Sequence, residues 1–221
     1  FYCGGERSGY LSQCHDITDY LNYGGDNIVC VRCDATLEEG WFYEGAGIYR
    51  HVWLTRTNQL HIENDGIFIS SIFPNADYSN PVISVKATVR NMSHEEEKAE
   101  VRVRILDADG EEVAEGKMMQ MENGGIMLSA SRDCSVLVPM KGAHLWSPST
   151  PYLYKAVTEV VKEGKVIDAK ETRFGIREIV FDKDRGLLVN GQNIKIQGVN
   201  MHQDNTGVGV GIPDALQVWR I

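Results

Sequence analysis

Residues 186–209 read Gly186-Leu-Leu-Val-Asn-Gly-Gln-Asn-Ile-Lys-Ile-Gln-Gly-Val-Asn-Met-His-Gln-Asp-Asn-Thr-Gly-Val-Gly209, and the organisation of the whole chain follows from them. Leu187, Leu188 and Val189, then Asn190-Gly191, then Ile194 and Ile196 describe a short hairpin. Asn-Gly suits a type I′ two-residue turn, because both central residues need positive φ. Ile194 to Val199 then reads as one more strand, after which Asn200, His202, Gln203 and Asp204 fall within five residues. A polar, titratable cluster directly after a buried strand is where an α/β barrel places its substrate chemistry. From Pro213 the run Pro-Asp-Ala-Leu-Gln-Val-Trp-Arg220 has a proline near its start, an acid in its first turn and apolar Leu216, Val218 and Trp219. Those are the marks of a helix beginning. Strand, polar loop and helix make a first βα unit.

Working back, residues 56–174 carry an all-β pattern. The alternation predicts strands over Gly66–Phe73, Val82–Asn91, Ala99–Leu106, Glu112–Met118, Ile126–Leu137, Tyr152–Glu163 and Lys165–Phe174. Asp109-Gly110, Asn123-Gly124-Gly125 and Glu163-Gly164 separate them as turns. Seven strands of this length predict an immunoglobulin-like sandwich of the disulfide-free kind. Asp107-Ala-Asp-Gly110 is read as a hairpin turn, since its Gly comes too early for a calcium loop and no Glu stands at the twelfth position. Asn91-Met-Ser93 fits a glycosylation triplet, which carries no weight alone. Residues 1–55 read as short strands with Gly-rich connections, notably Ile28–Cys33 and His51–Leu54, with Asp16 or Thr18 placed to cap one helical turn. Three or four strands are too few for a jelly roll, which takes about eight. Residues 175–221 number 47, against about 250 for a complete barrel. The expected fold class is therefore mainly β: an immunoglobulin-like sandwich over 56–174, flanked by part of a jelly-roll sandwich over 1–55 and the first βα unit of a truncated (β/α)8 barrel over 175–221. An excised segment is expected.

Composition narrows the partners. A formal charge of −9 over 221 residues leaves no basic stripe to displace counterions from a nucleic acid. No apolar run approaches the length of a membrane span. Five cysteines cannot all pair within the chain. Cys30-Val-Arg-Cys33 has a redox or zinc spacing, yet it lies in an alternating pattern that sends the two sulfurs to opposite faces, so the cysteines are read as structural or incidental.

Three stretches together resemble glycoside hydrolase family two, the family of β-galactosidases, β-glucuronidases and β-mannosidases. Gly45-Ala-Gly-Ile-Tyr-Arg-His-Val-Trp-Leu54 is similar to the end of the family's sugar-binding jelly roll. Leu145-Trp-Ser-Pro148, Pro151-Tyr-Leu-Tyr154 and Phe174-Gly-Ile-Arg177 resemble the end of its immunoglobulin-like domain. Asn190-Gly191 and Gly198-Val-Asn-Met-His202-Gln-Asp204 resemble the start of its catalytic barrel. The loop Gly40–Gly45 and the run after Asp204 look most like bacterial β-galactosidase-type members.

The resemblance implies a parent that hydrolyses terminal β-linked sugars with retention, using two glutamates on later barrel strands. Neither would lie in these residues; Glu44, Glu178 and Asp182 match other parts of the family pattern. The segment would be an inactive scaffold with a substrate-contacting edge. His202 matches a histidine that reaches sugar hydroxyls, and an imidazole can both donate and accept there. Asp204 would accept from a hydroxyl or hold the histidine tautomer, and Asn200 would order the loop. Trp41 and Tyr43 would offer aromatic faces to sugar C–H groups. Trp146 is read as packing, and Arg50, Arg173 and Arg177 as ion-pair or backbone-capping residues. The segment would hold no metal; magnesium or sodium is implied for the parent, on carboxylates of the barrel. The expected partner is a β-linked glycan or oligosaccharide, with no nucleic acid and no membrane. Open strand edges also suggest a homo-dimer. The competing reading is a non-catalytic β-sandwich module that binds carbohydrate or protein, set aside because such a module has no need of the tail after Phe174.

Overall fold

Alternation of small branched residues builds two sheets. β1 (Leu60–Ile72), β2 (Val82–Asn91), β3 (Glu100–Leu106), β4 (Glu112–Met118), β5 (Ser131–Pro139), β6 (Tyr154–Lys162) and β7 (Lys165–Phe174) pair antiparallel throughout. They form one sheet of order β1-β2-β5 and another of order β4-β3-β6-β7. The computed structural model describes residues 1–6, 8, 10–34, 47–48, 50–118, 125–202 and 204–221. Ile83, Val85, Ala87 and Val89 of β2 face Val101, Val103 and Ile105 of β3 and Ala156 and Val160 of β6 in one buried cluster. Every second residue of β2, β3 and β6 enters this layer, as packing of two sheets face to face demands. The sandwich and the hairpin after it make one compact unit, Leu54–Gly198; Phe1–Trp53 and Val199–Ile221 make the other.

β1 starts six residues earlier than the alternation indicated. Its register jumps from Ile62↔Val89 to Ile67↔Ala87, so three extra residues bulge out. Asp65 takes φ 54, and a Cβ on Gly66 would come within 2.9 Å of the Glu63 carbonyl oxygen. The polar run Glu63–Gly66 thus hides one continuous strand. β5 starts later than expected, because Ile126 is spent on an isolated bridge to Glu97, with bonds of 3.0 and 2.7 Å. Asn91 of the glycosylation triplet is fully buried. Its Nδ2 donates to the carbonyls of Glu95 and Ile126, and its Oδ1 accepts from the Ser93 N–H. It closes a corner of the sandwich.

Tyr154 opens β6, and its hydroxyl accepts from the His144 backbone N–H at 2.9 Å. Such a link from a strand's first tyrosine to backbone a few residues upstream pins the corner between two strands. Tyr152 does the same toward Ala108, and the two rings meet edge to face at 4.9 Å. This is the structural content of Pro151-Tyr-Leu-Tyr154.

After β7 come β8 (Ile179–Asp182), β9 (Gly186–Val189) and β10 (Gln192–Asn193), paired in the order β10-β9-β8. Asn190 (φ 50) and Gly191 (φ 75) make the left-handed turn that the Asn-Gly pair announced. The strand expected over Ile194–Val199 does not form: Ile196 is 73% and Val199 87% exposed, and the ladder stops at Asn193. A strand exists only where a neighbour accepts its N–H groups, and beyond Ile194, whose N–H donates to the Leu187 carbonyl at 2.9 Å, no described segment is laddered to this one.

In the other unit, Asp16 Oδ1 accepts from the Thr18 N–H (3.0 Å) and hydroxyl (2.6 Å), starting the 3-10 turn Thr18–Tyr20. The strands expected at Ile28–Cys33 and His51–Leu54 are absent; both stretches are exposed and unpaired in any ladder. Their alternation has no partner to act upon. The helix α1 (Asp214–Arg220) does form, with Pro213 at its N-cap and Asp214 in its first turn. All five cysteines are free thiols. Among the described residues no helix is long and apolar enough to cross a membrane.

Candidate functional site

The motifs that stood apart in the sequence meet at the junction between sandwich and hairpin. Trp146 donates its N–H to the Ile176 carbonyl at 2.8 Å, with Leu145 and Ile176 bridged in parallel. The Arg177 guanidinium lies 4.6 Å from the Trp146 ring centroid, a cation–π contact where an ion-pair or backbone-capping role was expected. A Cβ on Gly175 would approach Trp146 to 2.8 Å, so only glycine lets the chain pass. The Asn190 side chain then ties three segments: Nδ2 donates to the Trp146 carbonyl at 3.0 Å, and Oδ1 accepts from the Glu178 N–H at 2.9 Å. Its own N–H donates to the Glu178 carbonyl at 3.0 Å. Tyr78, packed on Phe73 at 5.0 Å, donates its hydroxyl to Glu178 Oε2 at 2.5 Å. That hydrogen bond holds the Tyr78 phenol above its ordinary value, with burial adding to it.

Of the acids set aside in the sequence, Glu178 and Asp182 serve structure. Glu178 receives Tyr78, and Asp182 accepts the N–H groups of Asp184 and Arg185 in its own turn. Those backbone donors lower the Asp182 carboxyl below its usual range. Tyr78 and the side-chain role of Asn190 were not foreseen. An Asn-Gly pair announces a turn but not what the asparagine amide will reach, and Tyr78 lies one hundred residues from its partner.

The polar loop lies in the other unit. Asn200 and His202 are exposed, whereas Asp204 is only 7% exposed. The Asp204 carbonyl accepts from Arg220 Nη2 at 2.7 Å. Asn205 and Gly209 exchange hydrogen bonds of 3.1 and 3.0 Å just beyond, with Gly207 at φ 88. Asp204 thus directly precedes the turn closed by Asn205 and Gly209, and His202 lies exposed two residues before it. Trp41, Tyr43 and Glu44 lie outside the described residues, as does Gln203. Arg50 caps backbone, donating to the Tyr10 carbonyl at 3.2 Å. Among the described residues no group of three or more His, Cys, Asp or Glu side chains could hold a metal ion. The hold of Arg220 on the loop had no signal in the sequence.

A sandwich carrying a clamped hairpin, with a histidine-bearing bend and a short helix after it, has clear counterparts. Residues 61–177 match the family model described as glycosyl hydrolases family 2, and the chain belongs to that family. It is 33% identical over 92% of its length to a β-galactosidase of Bacteroides ovatus, of which it covers 23%. A crystal structure of a family 2 member from Bacteroides cellulosilyticus superposes over 89% of the chain with a TM-score of 0.78 and 31% identity, the chain covering 26% of it. A β-glucuronidase of Bacteroides uniformis gives a TM-score of 0.72 at 26% identity, over 93% of this chain and 25% of that one. The chain thus spans about a quarter of the length of these relatives.

Proposed function

We propose that this chain is the scaffold-and-edge segment of a retaining exo-β-glycosidase of the β-galactosidase type, which removes terminal β-linked sugars from glycans. One observation carries the reading: membership of glycosyl hydrolases family 2 across the sandwich, with relatives named β-galactosidase and β-glucuronidase that align along nearly the whole chain. In this reading residues 56–174 are an immunoglobulin-like domain, residues 1–55 the end of a sugar-binding jelly roll, and residues 175–221 the beginning of a catalytic barrel. The chemistry is displacement at the anomeric carbon by one glutamate while a second protonates the leaving oxygen, their carboxyls about 5–5.5 Å apart. Both belong to barrel strands outside these residues, so the segment alone is inactive. Magnesium or sodium, where the parent uses it, sits on barrel carboxylates.

What this chain supplies is hydrogen bonding to the sugar. An exposed imidazole at His202 both donates and accepts, and its bonds to a ring hydroxyl strengthen as positive charge develops in the transition state. Asp204 accepts from a sugar hydroxyl or holds the histidine tautomer, Asn200 orders the loop, and Trp41 and Tyr43 are assigned by the family resemblance to offer rings to the apolar face of the sugar. A panel of p-nitrophenyl β-glycosides tests the proposal on the full-length protein and on the 221-residue chain. Hydrolysis by the full-length protein alone is expected, and its preferred sugar identifies the specificity. A folded full-length protein that cleaves none of the panel would turn the reading toward a non-catalytic binding module.

A further inference from the structure

The turn that follows His202 and Asp204 is secured from a distance. Asn205 and Gly209 close it locally, but those bonds leave its direction relative to α1 unset. Arg220, the last residue of α1, reaches back sixteen positions and donates Nη2 to the Asp204 carbonyl at 2.7 Å. The Nη1 of the same guanidinium is buried without a hydrogen-bond partner. Burying an unmet charged donor is more costly than burying a neutral one. The link that the guanidinium does make to the Asp204 carbonyl is charge-assisted, and so stronger than the same bond from a neutral amide donor. Its place at a helix C-terminus also favours a cation.

We infer that Arg220 is a positioning residue for the substrate edge: by fixing the Asp204 carbonyl it sets the backbone from which His202, two residues earlier, meets the sugar. The inference rests on the glycosidase reading for its consequence, while the clamp itself stands on geometry. Two measurements separate these. In the 221-residue chain, Arg220→Met is expected to speed amide hydrogen exchange at Asn205 and Gly209 roughly tenfold. Val85 and Val103 in the sandwich should keep their protection, which shows that the variant remains folded. In the full-length protein Arg220→Met is expected to lower kcat on the order of 100-fold with KM little changed, since a displaced contact is felt mainly in the transition state. Arg220→Lys, which keeps one charged donor, should recover part of both effects. Unchanged exchange at Asn205 and Gly209 in Arg220→Met overturns the inference, as does wild-type kcat in that variant. Absence of glycosidase activity in the wild type counts against the proposed function instead, and the exchange result then judges the clamp alone.

Discussion

Thr158 shows how a residue can be legible in kind and not in consequence. Alternation along β6 places it on the inner face opposite Val103, and there it is fully buried with no hydrogen-bond partner for its hydroxyl. An unmet buried hydroxyl costs about 1–3 kcal/mol. Thr158→Val, which keeps the shape, should raise the urea midpoint by the equivalent of about 1 kcal/mol; a lowered midpoint would contradict that account. Its neighbour Glu159 points the other way and is gripped by Arg102 Nε at 2.7 Å and Arg104 Nη2 at 3.1 Å. Burial works to raise this carboxyl, but the two arginine hydrogen bonds outweigh it and hold it below its ordinary 4.5. A carboxyl held low in the folded chain contributes fully above pH 4.5, and the contribution is lost as pH falls through its folded value. Glu159→Gln should therefore cost about 2 kcal/mol at pH 7, less than a fully buried pair because both arginines are about a third exposed. The difference from wild type should shrink well below pH 4.5 in urea titrations, and a difference independent of pH would sink the claim. No spacing in the sequence joins Arg102 to Glu159; only the register of β3 on β6 does. The exposed His202 makes the opposite forecast. His202→Ala in the full-length protein should reduce kcat/KM on the order of 100-fold and leave the thermal midpoint in place, and a shifted midpoint with intact kcat/KM would assign it to structure.

Elements were legible where a strand was bordered by turns that punctuate it. β4 and β7 occupy the residues their alternation marked, because Asp109-Gly110 and Glu163-Gly164 end their neighbours sharply, and β2 does so on its alternation alone. β1 was cut short by a polar bulge, and Ile194–Val199 failed because an apolar alternation predicts a face rather than a partner. The same holds for Ile28–Cys33. The hairpin turn was legible in its backbone but not in its attachments. Asn190→Ala removes its two side-chain bonds, to the Trp146 carbonyl and from the Glu178 N–H, while the left-handed φ of 50 becomes harder to hold. The cost should be about 2–3 kcal/mol. It should appear as faster exchange at the Ile194 amide, which donates to the Leu187 carbonyl. Equal exchange in the two proteins would mean that the turn does not depend on the Asn190 side chain.

At the scale of the whole molecule, the chain divides into two compact units. The sandwich, its tyrosine-pinned corner and the Trp146–Asn190–Glu178 knot form one continuous packed body. Asn200, His202 and Asp204 belong to the other unit, where the Asp204 carbonyl accepts from Arg220 and Asn205 and Gly209 exchange hydrogen bonds. Family membership was readable from Leu145–Pro148, Phe174–Arg177 and Asn190–Gly191 because those residues make this knot, and its geometry tolerates few alternatives. Sugar specificity was not readable, and relatives named for galactose and for glucuronate align along the same residues. The most direct test is the anomer first released by the full-length protein from its preferred p-nitrophenyl β-glycoside, followed by proton NMR before mutarotation. Retention through a glycosyl-enzyme predicts the β anomer at first turnover. First release of the α anomer would contradict the retaining mechanism, and with it the assignment of this chain to such an enzyme.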